Sequence, residues 1–352
     1  MTNSTLVFES EAVANTLVAG IPCAVRSFLA ASDAGLIDPY KKQLMAVPGG
    51  WRDFGSVARE MKRIDPEAPV TGVPLEVTEA DAVIDAADCL ENLANLTPVS
   101  MKEFAESLSD TGDSGASLRL EKASRRIIAE TGKPTDGFVS RYINRPISQY
   151  CSFHLLKLDW IRPIHATILA SAFGVVMALC LFLGGHTGLI AGAVLFQLAS
   201  IIDGVDGEIA RATFRTSRLG ATLDTASDAA TNFAFIAGVS ANLWMRGDAA
   251  AGQAGLAGLA LLMTGLAALG FLSVREGGPL SFDALKHDAN AASSPVMSLL
   301  AKITSRDVYA LVLAVLILIG LAGPAMIFFA AATTIWFIAA VIMLGRRFFR
   351  TD

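Results

Sequence analysis

Residues 163–202 run for 40 positions without an Asp, Glu, Lys or Arg. A membrane-crossing helix needs about 20 apolar residues, so this stretch holds two, with Gly184-Gly185-His186-Thr187-Gly188 as the turn between them. Residues 308–345 add 38 uncharged positions, divided at Gly323-Pro324. Residues 249–274 make a further span. Residues 229–245 are short alone but continue a helix from about Gly220. The expected fold is a polytopic all-α membrane domain of six transmembrane helices.

The rest of the chain has a different character. Residues 1–158 carry 16 basic and 21 acidic side chains, whereas 159–352 carry 12 of each. Over the whole chain only 17% of residues are charged and 53% are hydrophobic. Soluble domains average about 25% charged, so the composition argues against a wholly soluble protein. The net charge of −5 leaves no basic footprint for nucleic acid. Cys23, Cys89, Cys151 and Cys180 lack the paired spacing of a zinc cage and read as small buried hydrophobes.

Orientation follows from Lys and Arg. Arg162, Arg211, Arg215, Arg218, Arg275, Lys286, Lys302, Arg306, Arg346, Arg347 and Arg350 fall on one side of the expected spans, and the opposite turns hold only Arg246. Both termini are therefore expected in the cytoplasm. The first twenty residues have no Lys or Arg, unlike a secretory signal, so the soluble part is expected there too.

Residues 1–132 read as a cytoplasmic α/β domain. Pro22 and Gly35 bracket a helix, following the preference for Pro at the start and Gly past the end. Residues 43–47 and 68–73 look like short strands. Thr78 is placed as the cap of a helix over 80–94. Thr131-Gly132-Lys133-Pro134 marks a boundary before a juxtamembrane amphipathic helix at 133–158, its core about 136–157, kinked at Pro146. The membrane domain then occupies 159–352.

The chemistry is concentrated in residues 201–228. Asp203, Asp206, Gly207, Ala210 and Arg211 fall at i, i+3, i+4, i+7 and i+8, one face of a helix. Gly220, Asp224 and Asp228 repeat at four-residue spacing. Two antiparallel helices would gather four carboxylates near the cytoplasmic end of the membrane. At membrane depth each costs roughly 2.5–3.5 kcal/mol on insertion scales. Divalent cations relieve that cost, and oxygen donors favour Mg²⁺, Mn²⁺ or Ca²⁺ over zinc. A solvated loop pairing the acids with Arg211, Arg215 and Arg218 accounts for any one of them but not for the spaced set. Metals beside a small-residue face point to diphosphate chemistry, with Arg211 able to address a phosphate oxygen.

The string D-x-x-D-G-x-x-A-R-x8-G-x3-D-x3-D runs complete from Asp203 to Asp228. It closely resembles the signature of the CDP-alcohol phosphotransferase, or phosphatidyltransferase, family, and the resemblance extends over about 136–350. It implies attack of an acceptor hydroxyl on the phosphorus of a CDP-alcohol, with release of CMP and formation of a phosphodiester. Under it, Asp203, Asp206, Asp224 and Asp228 bind Mg²⁺ or Mn²⁺ in a two-metal site, and Asp228 also takes the acceptor proton. Thr167, Asp203, Gly207, Ala210, Arg211 and Gly220 contact the nucleotide. Many family members open the first span T-P-N-x-x-T. Here Arg162-Pro163-Ile164-His165-Ala166-Thr167 keeps Thr167 and puts Ile164 in place of the amide. Arg145, Arg218 and Arg275 are the candidates for an anionic acceptor, against plain topology charges.

VAGIPCAVRSFLAASDAGLID resembles the first-helix region of sugar-phosphate nucleotidyltransferases. These occur fused to this membrane domain in inositol-phosphate cytidylyltransferase/di-inositol-phosphate phosphate synthases. The G-x-G-T-R loop expected upstream is absent, which implies a degenerate, structural domain. The partners so implied are a CDP-alcohol donor, a hydroxyl acceptor (at least one of them a lipid), the bilayer and a second copy of the chain as homodimer. CDP-diacylglycerol is the commoner donor pattern and a CDP-polyol the alternative. From other classes, a divalent-cation transporter would continue polar residues through several spans, and an inactive scaffold would not need an intact motif.

Overall fold

The computed structural model describes residues 4–74, 82–86, 90, 113–133, 136–275 and 306–348. Two compact units form, and both are discontinuous in sequence. One gathers Met1–Gly132, Gln149–Pro163 and Gly207–Thr216; the other gathers Lys133–Ser148, Ile164–Asp206 and Ser217–Asp352.

The first unit is built on β1 (Ser4–Val7), β4 (Gln43–Val47), β5 (Val70–Pro74) and β6 (Ala82–Asp85), in the order β5-β4-β1-β6. All pairings are parallel, with Thr5 facing Leu44 on one side and Val83 on the other. Parallel neighbours require crossovers. α1 (Glu11–Asn15), a small hairpin of β2 (Leu17–Val18) and β3 (Ile21–Pro22), and α2 (Cys23–Asp33) connect β1 to β4; α3 (Gly55–Ile64) connects β4 to β5. A later helix, α4, spans Asp113–Glu130. Such a sheet is covered on both faces, so Leu6, Phe8, Phe28, Met45 and Met61 are buried.

The helix expected between Pro22 and Gly35 forms as α2, with Gly35 at φ +70° just past its end. The expected strand at 43–47 is β4, and the one at 68–73 lies two residues further on, as β5. The helix expected over 80–94 is corrected at its start, where Ala82–Asp85 is strand β6. A short apolar run suits either a buried strand or a buried helix, and the pairing of β6 with β1 decides it. Thr78 lies outside the described residues.

The second unit is helical. A π-helical turn at Ser140–Asn144 leads into α5 (Arg145–Leu155), followed by α6 (Pro163–Leu183), α7 (Gly185–Ala212), α8 (Arg218–Met245), α9 (Ala249–Arg275), α10 (Arg306–Leu318) and α11 (Ala322–Phe348). The kink expected at Pro146 becomes the π turn just before it. Proline lacks an amide hydrogen, and its ring collides with the carbonyl four residues back; widening the preceding turn relieves both. Phe138, Tyr142, Ile147 and Tyr150 are all exposed along this segment.

Among the described residues, four helices are long and apolar enough to cross a membrane: Pro163–Leu183, Gly185–Ala212, Ala249–Ala268 and Ala322–Ile342. Between 24% and 44% of their apolar windows is buried, so large apolar side chains such as Ile168, Val175, Leu183 and Phe328 face outward. That inversion suits lipid as the solvent. Of the six spans expected, two fall outside this group: α8 carries Arg218, Asp224 and Asp228, and α10 has 13 residues. The break expected at Gly323-Pro324 falls slightly earlier, at Gly320 with φ +83°. Pro324 sits instead in the first turn of α11, where its missing amide costs nothing.

Inside this unit the helices approach through small residues, as membrane helices do. A Cβ on Gly258 of α9 would stand 2.9 Å from the Ala330 Cα of α11. Phe196 of α7 stacks on Phe235 of α8 at 3.9 Å. The Asn242 amide of α8 donates to the carbonyls of Leu181 and Gly185 at 2.7 and 2.9 Å, tying α8 to the turn between α6 and α7.

Candidate functional site

α8 begins where it does because Ser217, in extended geometry, caps it by accepting the Gly220 amide at 3.0 Å. That start fixes the helical phase of Asp224 and Asp228, two and three turns in. α7 ends at Ala212 with Asp203 and Asp206 in its last three turns. Asp203, Asp224 and Asp228 each offer a carboxylate oxygen, and the three oxygens lie within 4.8 Å of one another. All three side chains are half-buried. Three anionic oxygen donors at this spacing fit a hard divalent cation.

Asp206 stands outside that trio. Buried, it accepts the Thr167 hydroxyl of α6 at 2.7 Å. The Ser171 hydroxyl, one turn on, bonds the Thr167 carbonyl and lies 2.9 Å from the Ser227 hydroxyl of α8. Behind Asp228, the Asn232 amide donates to its backbone carbonyl at 2.8 Å, and the Tyr309 hydroxyl of α10 donates to Asn232 at 3.1 Å. Ser171, Ser227, Asn232 and Tyr309 went unrecognised in the sequence; as lone polar residues in apolar helices they were the available signal.

The small residues and the arginine of the motif follow Asp206 on α7. Arg211 lies back along the helix, so a Cβ on Gly207 would stand 2.9 Å from its Nη1. Its Nε donates to the Thr131 carbonyl at 2.7 Å. Ala210 is half-buried, and Gly220 is exposed in the first turn of α8. An unspecified position within the motif also carries structure: Glu208, fully buried, accepts the Ser152 hydroxyl at 2.6 Å. Burial and the charge of Glu208 push the Cys151 thiol up.

The three acceptor candidates do not come together as a described cluster. Arg145 grips Asp136 with Nε and Nη2, at 2.8 and 3.0 Å, and its Nη1 reaches the Gly204 carbonyl at 3.4 Å. Burial works to raise the Asp136 carboxyl, but the hydrogen bonds and charge of Arg145, with Lys133, hold it below its ordinary value. Arg218 is exposed at the first residue of α8. Arg275 ends α9, and its side chain lies outside the described residues.

In the α/β unit, the loop after β1 was the place to look for a nucleotide cradle. There Phe8 is buried, Glu9 binds Arg119 at 2.7 Å, and Ser10 caps α1 by accepting the Val13 amide.

Comparison with known proteins bears on the helical half. Residues 160–344 match the family described as CDP-alcohol phosphatidyltransferase. Curated relatives include the "Bifunctional IPC transferase and DIPP synthase" of Aquifex aeolicus, 35% identical over 125 residues, or 35% of this chain and 28% of that one. The protein of the same description from Thermococcus kodakarensis is 37% identical over 119 residues, 34% of this chain and 26% of that one. That of Rubrobacter xylanophilus is 34% identical over 150 residues, 43% and 33% of the respective chains. The matched stretch thus spans about a quarter to a third of these relatives.

Proposed function

Because the chain belongs to the CDP-alcohol phosphatidyltransferase family, we propose that it transfers a substituted phosphate group from a CDP-alcohol to a hydroxyl acceptor, releasing CMP. The observation that carries this reading is the convergence of Asp203, Asp224 and Asp228 within 4.8 Å.

Those three carboxylates, with Asp206 as the fourth, would hold Mg²⁺ or Mn²⁺ in a two-metal site. When bound, such cations neutralise a diphosphate and its leaving group. The chain's own groups do the rest. Asp228 takes the proton of the acceptor hydroxyl, whose oxygen forms a new bond to the phosphorus bearing the donor alcohol. The bond from that phosphorus to the bridging oxygen breaks, and its electron pair leaves on CMP. Thr167 orients Asp206. Gly207 and Ala210 let the nucleotide lie against the backbone, Gly220 keeps the opposite helix start clear, and Arg211 addresses an oxygen of the nucleotide. Arg218 and Arg275 serve an anionic acceptor. Arg145 joins them only by exchanging Asp136 for that acceptor.

At least one substrate is a lipid, reached laterally from the bilayer. CDP-diacylglycerol with a soluble polyol or polyol-phosphate acceptor is the first reading. The relatives' description as DIPP synthases and the parallel α/β unit favour the second, a CDP-polyol donor. The α/β unit itself is degenerate and structural, since the loop after β1 carries Phe8-Glu9-Ser10 and no glycine. The helical half crosses the membrane six times, with α8 and α10 as the remaining spans, and both termini lie in the cytoplasm with the site. The working form is a homodimer.

CMP release by purified protein with Mg²⁺ or Mn²⁺ tests the reading, using CDP-diacylglycerol, CDP-inositol and CDP-glycerol against polyol, polyol-phosphate and lipid acceptors. Acceptor-dependent CMP that disappears in Asp228→Asn supports it, and the active donor separates the two substrate readings. Folded, metal-binding protein that stays silent with every pair overturns it.

A further inference from the structure

The helix that carries Asp203 and Asp206 has an unusual end. The last carbonyls of any helix lack partners within it. Here α7 closes in a left-handed turn: Arg215 N donates to Ala210 O at 2.8 Å and Phe214 N to Arg211 O at 3.4 Å. The residue in the left-handed conformation is Phe214, at φ +52°, where glycine is the usual occupant. A side chain is strained there, so something must hold it.

Two arginines of the α/β unit do so. Arg26, on α2, is buried; its Nη2 donates to the Ala212 carbonyl, and its Nε and Nη2 donate to Val18 and Ala19 in the β2–β3 hairpin at 2.6 and 3.0 Å. Its guanidinium also stands 5.7 Å from the Phe214 ring centroid. Burial lowers its pKa to about 10, which leaves it charged at neutral pH. Arg63, on α3, donates to the Thr213 carbonyl at 2.7 Å and the Phe214 carbonyl at 3.2 Å. Glu60 then accepts from both Arg63 and Arg215, at 2.7 and 3.2 Å. Three successive carbonyls are thus taken by two guanidinium groups, and cations favour a helix C-terminus. Gly20, at the hairpin turn with φ +81°, lets that turn close on Thr213: a Cβ there would stand 2.9 Å from the Thr213 methyl.

Asp206 and Asp203 lie six and nine residues before Ala212 on the same helix, roughly 9 and 14 Å along its axis. A rigid helix gripped at its end has its rotation and register set there. We propose that Arg26 and Arg63 are positioning residues for the transfer reaction, a clamp by which the α/β unit fixes how α7 presents Asp203 and Asp206. The clamp gives a domain without a nucleotide loop a role in catalysis. Its catalytic meaning rests on the transferase reading above.

The test uses the full chain with Arg63→Ala, Arg63→Lys and Arg26→Lys, read three ways: thermal unfolding, Mn²⁺ affinity by electron paramagnetic resonance, and CMP release with kcat and KM separated. The expected result for Arg63→Ala is a Tm within a few degrees of the parent, Mn²⁺ binding weakened about 5-fold, kcat reduced about 10-fold and donor KM within 2-fold. Arg63→Lys recovers part of both losses. Unchanged Mn²⁺ affinity and kcat in folded Arg63→Ala would overturn the clamp. So would a kcat loss that only tracks the folded fraction. Should Arg26→Lys fail to fold, Arg63→Ala alone decides. If the parent chain binds Mn²⁺ yet releases no CMP, the transferase reading fails, while the Mn²⁺ affinities still judge the clamp.

Discussion

The two compact units place charge inside themselves in opposite ways. In the α/β unit a buried cation, Arg26, is surrounded by carbonyls of its own chain, and Glu60 sits between two arginines. In the helical unit three carboxylates are drawn together. The first arrangement closes on itself and contributes order. The second gathers like charge in a region that penalises it, which makes sense when something positive from outside joins it. Opposite logic in neighbouring segments of one helix marks where architecture ends and chemistry begins.

Substitutions can break that contrast at either pole. The largest effect is expected from Asp228→Asn, which keeps the shape and removes the carboxylate proposed as the base. CMP release should fall on the order of 10³-fold, within the usual range for a general base, with Tm unchanged or raised. A fall of less than 10-fold would mean that Asp228 is not the base. Next comes Arg26→Met, which leaves the carbonyls of Val18, Ala19 and Ala212 without their donor. A loss of about 3 kcal/mol in a denaturant titration is expected, because buried acceptors keep their full desolvation cost. Gly20→Ala should cost about 2 kcal/mol, since it combines a positive φ with a Cβ 2.6 Å from the Leu156 side chain.

Two smaller effects sharpen the contrast. Thr167→Val removes the hydroxyl that Asp206 accepts and should lower kcat a few-fold, with Mn²⁺ affinity reduced by a similar factor. The ion pair of Asp136 and Arg145 should appear in the pH dependence of stability. The Asp136 carboxyl is held below its ordinary value in the fold. Its contribution is therefore full above the unfolded value near 4 and is lost as pH falls through the lower folded value. Arg145→Gln should flatten that acid limb; an unchanged profile would show the pair to be of no consequence.

Much of this was legible in the sequence, for reasons that differ by region. The apolar runs of α6 and α7 declare themselves, because lipid tolerates few exceptions. Asp203, Asp224 and Asp228 were legible because helical spacing alone puts them on facing stripes. β6 was misread, since an apolar run of three residues before Asp85 has no period to read and only pairing with β1 makes it a strand. The separate turn of Asp206 toward Thr167 depends on α6, more than 30 residues away, and no local pattern reports it. The clamp was hidden for the same reason: Arg63 and Phe214 are 151 positions apart, and an arginine on a soluble helix looks like surface charge until its partners are seen.

The interleaving of the two units bears on how such a protein can be taken apart or recombined. The α/β unit includes Gln149–Pro163 and Gly207–Thr216, so a fragment cut at the Gly132-Lys133 junction would leave Gly20 without Leu156 and Arg26 without Ala212. The expected product is a fragment that aggregates unless its severed helix end is supplied in trans. Exchange of the front half between relatives should succeed only when the segment after Asp206 travels with it. Modularity here follows the grip on a helix end, and the seam in space is not the seam in the gene.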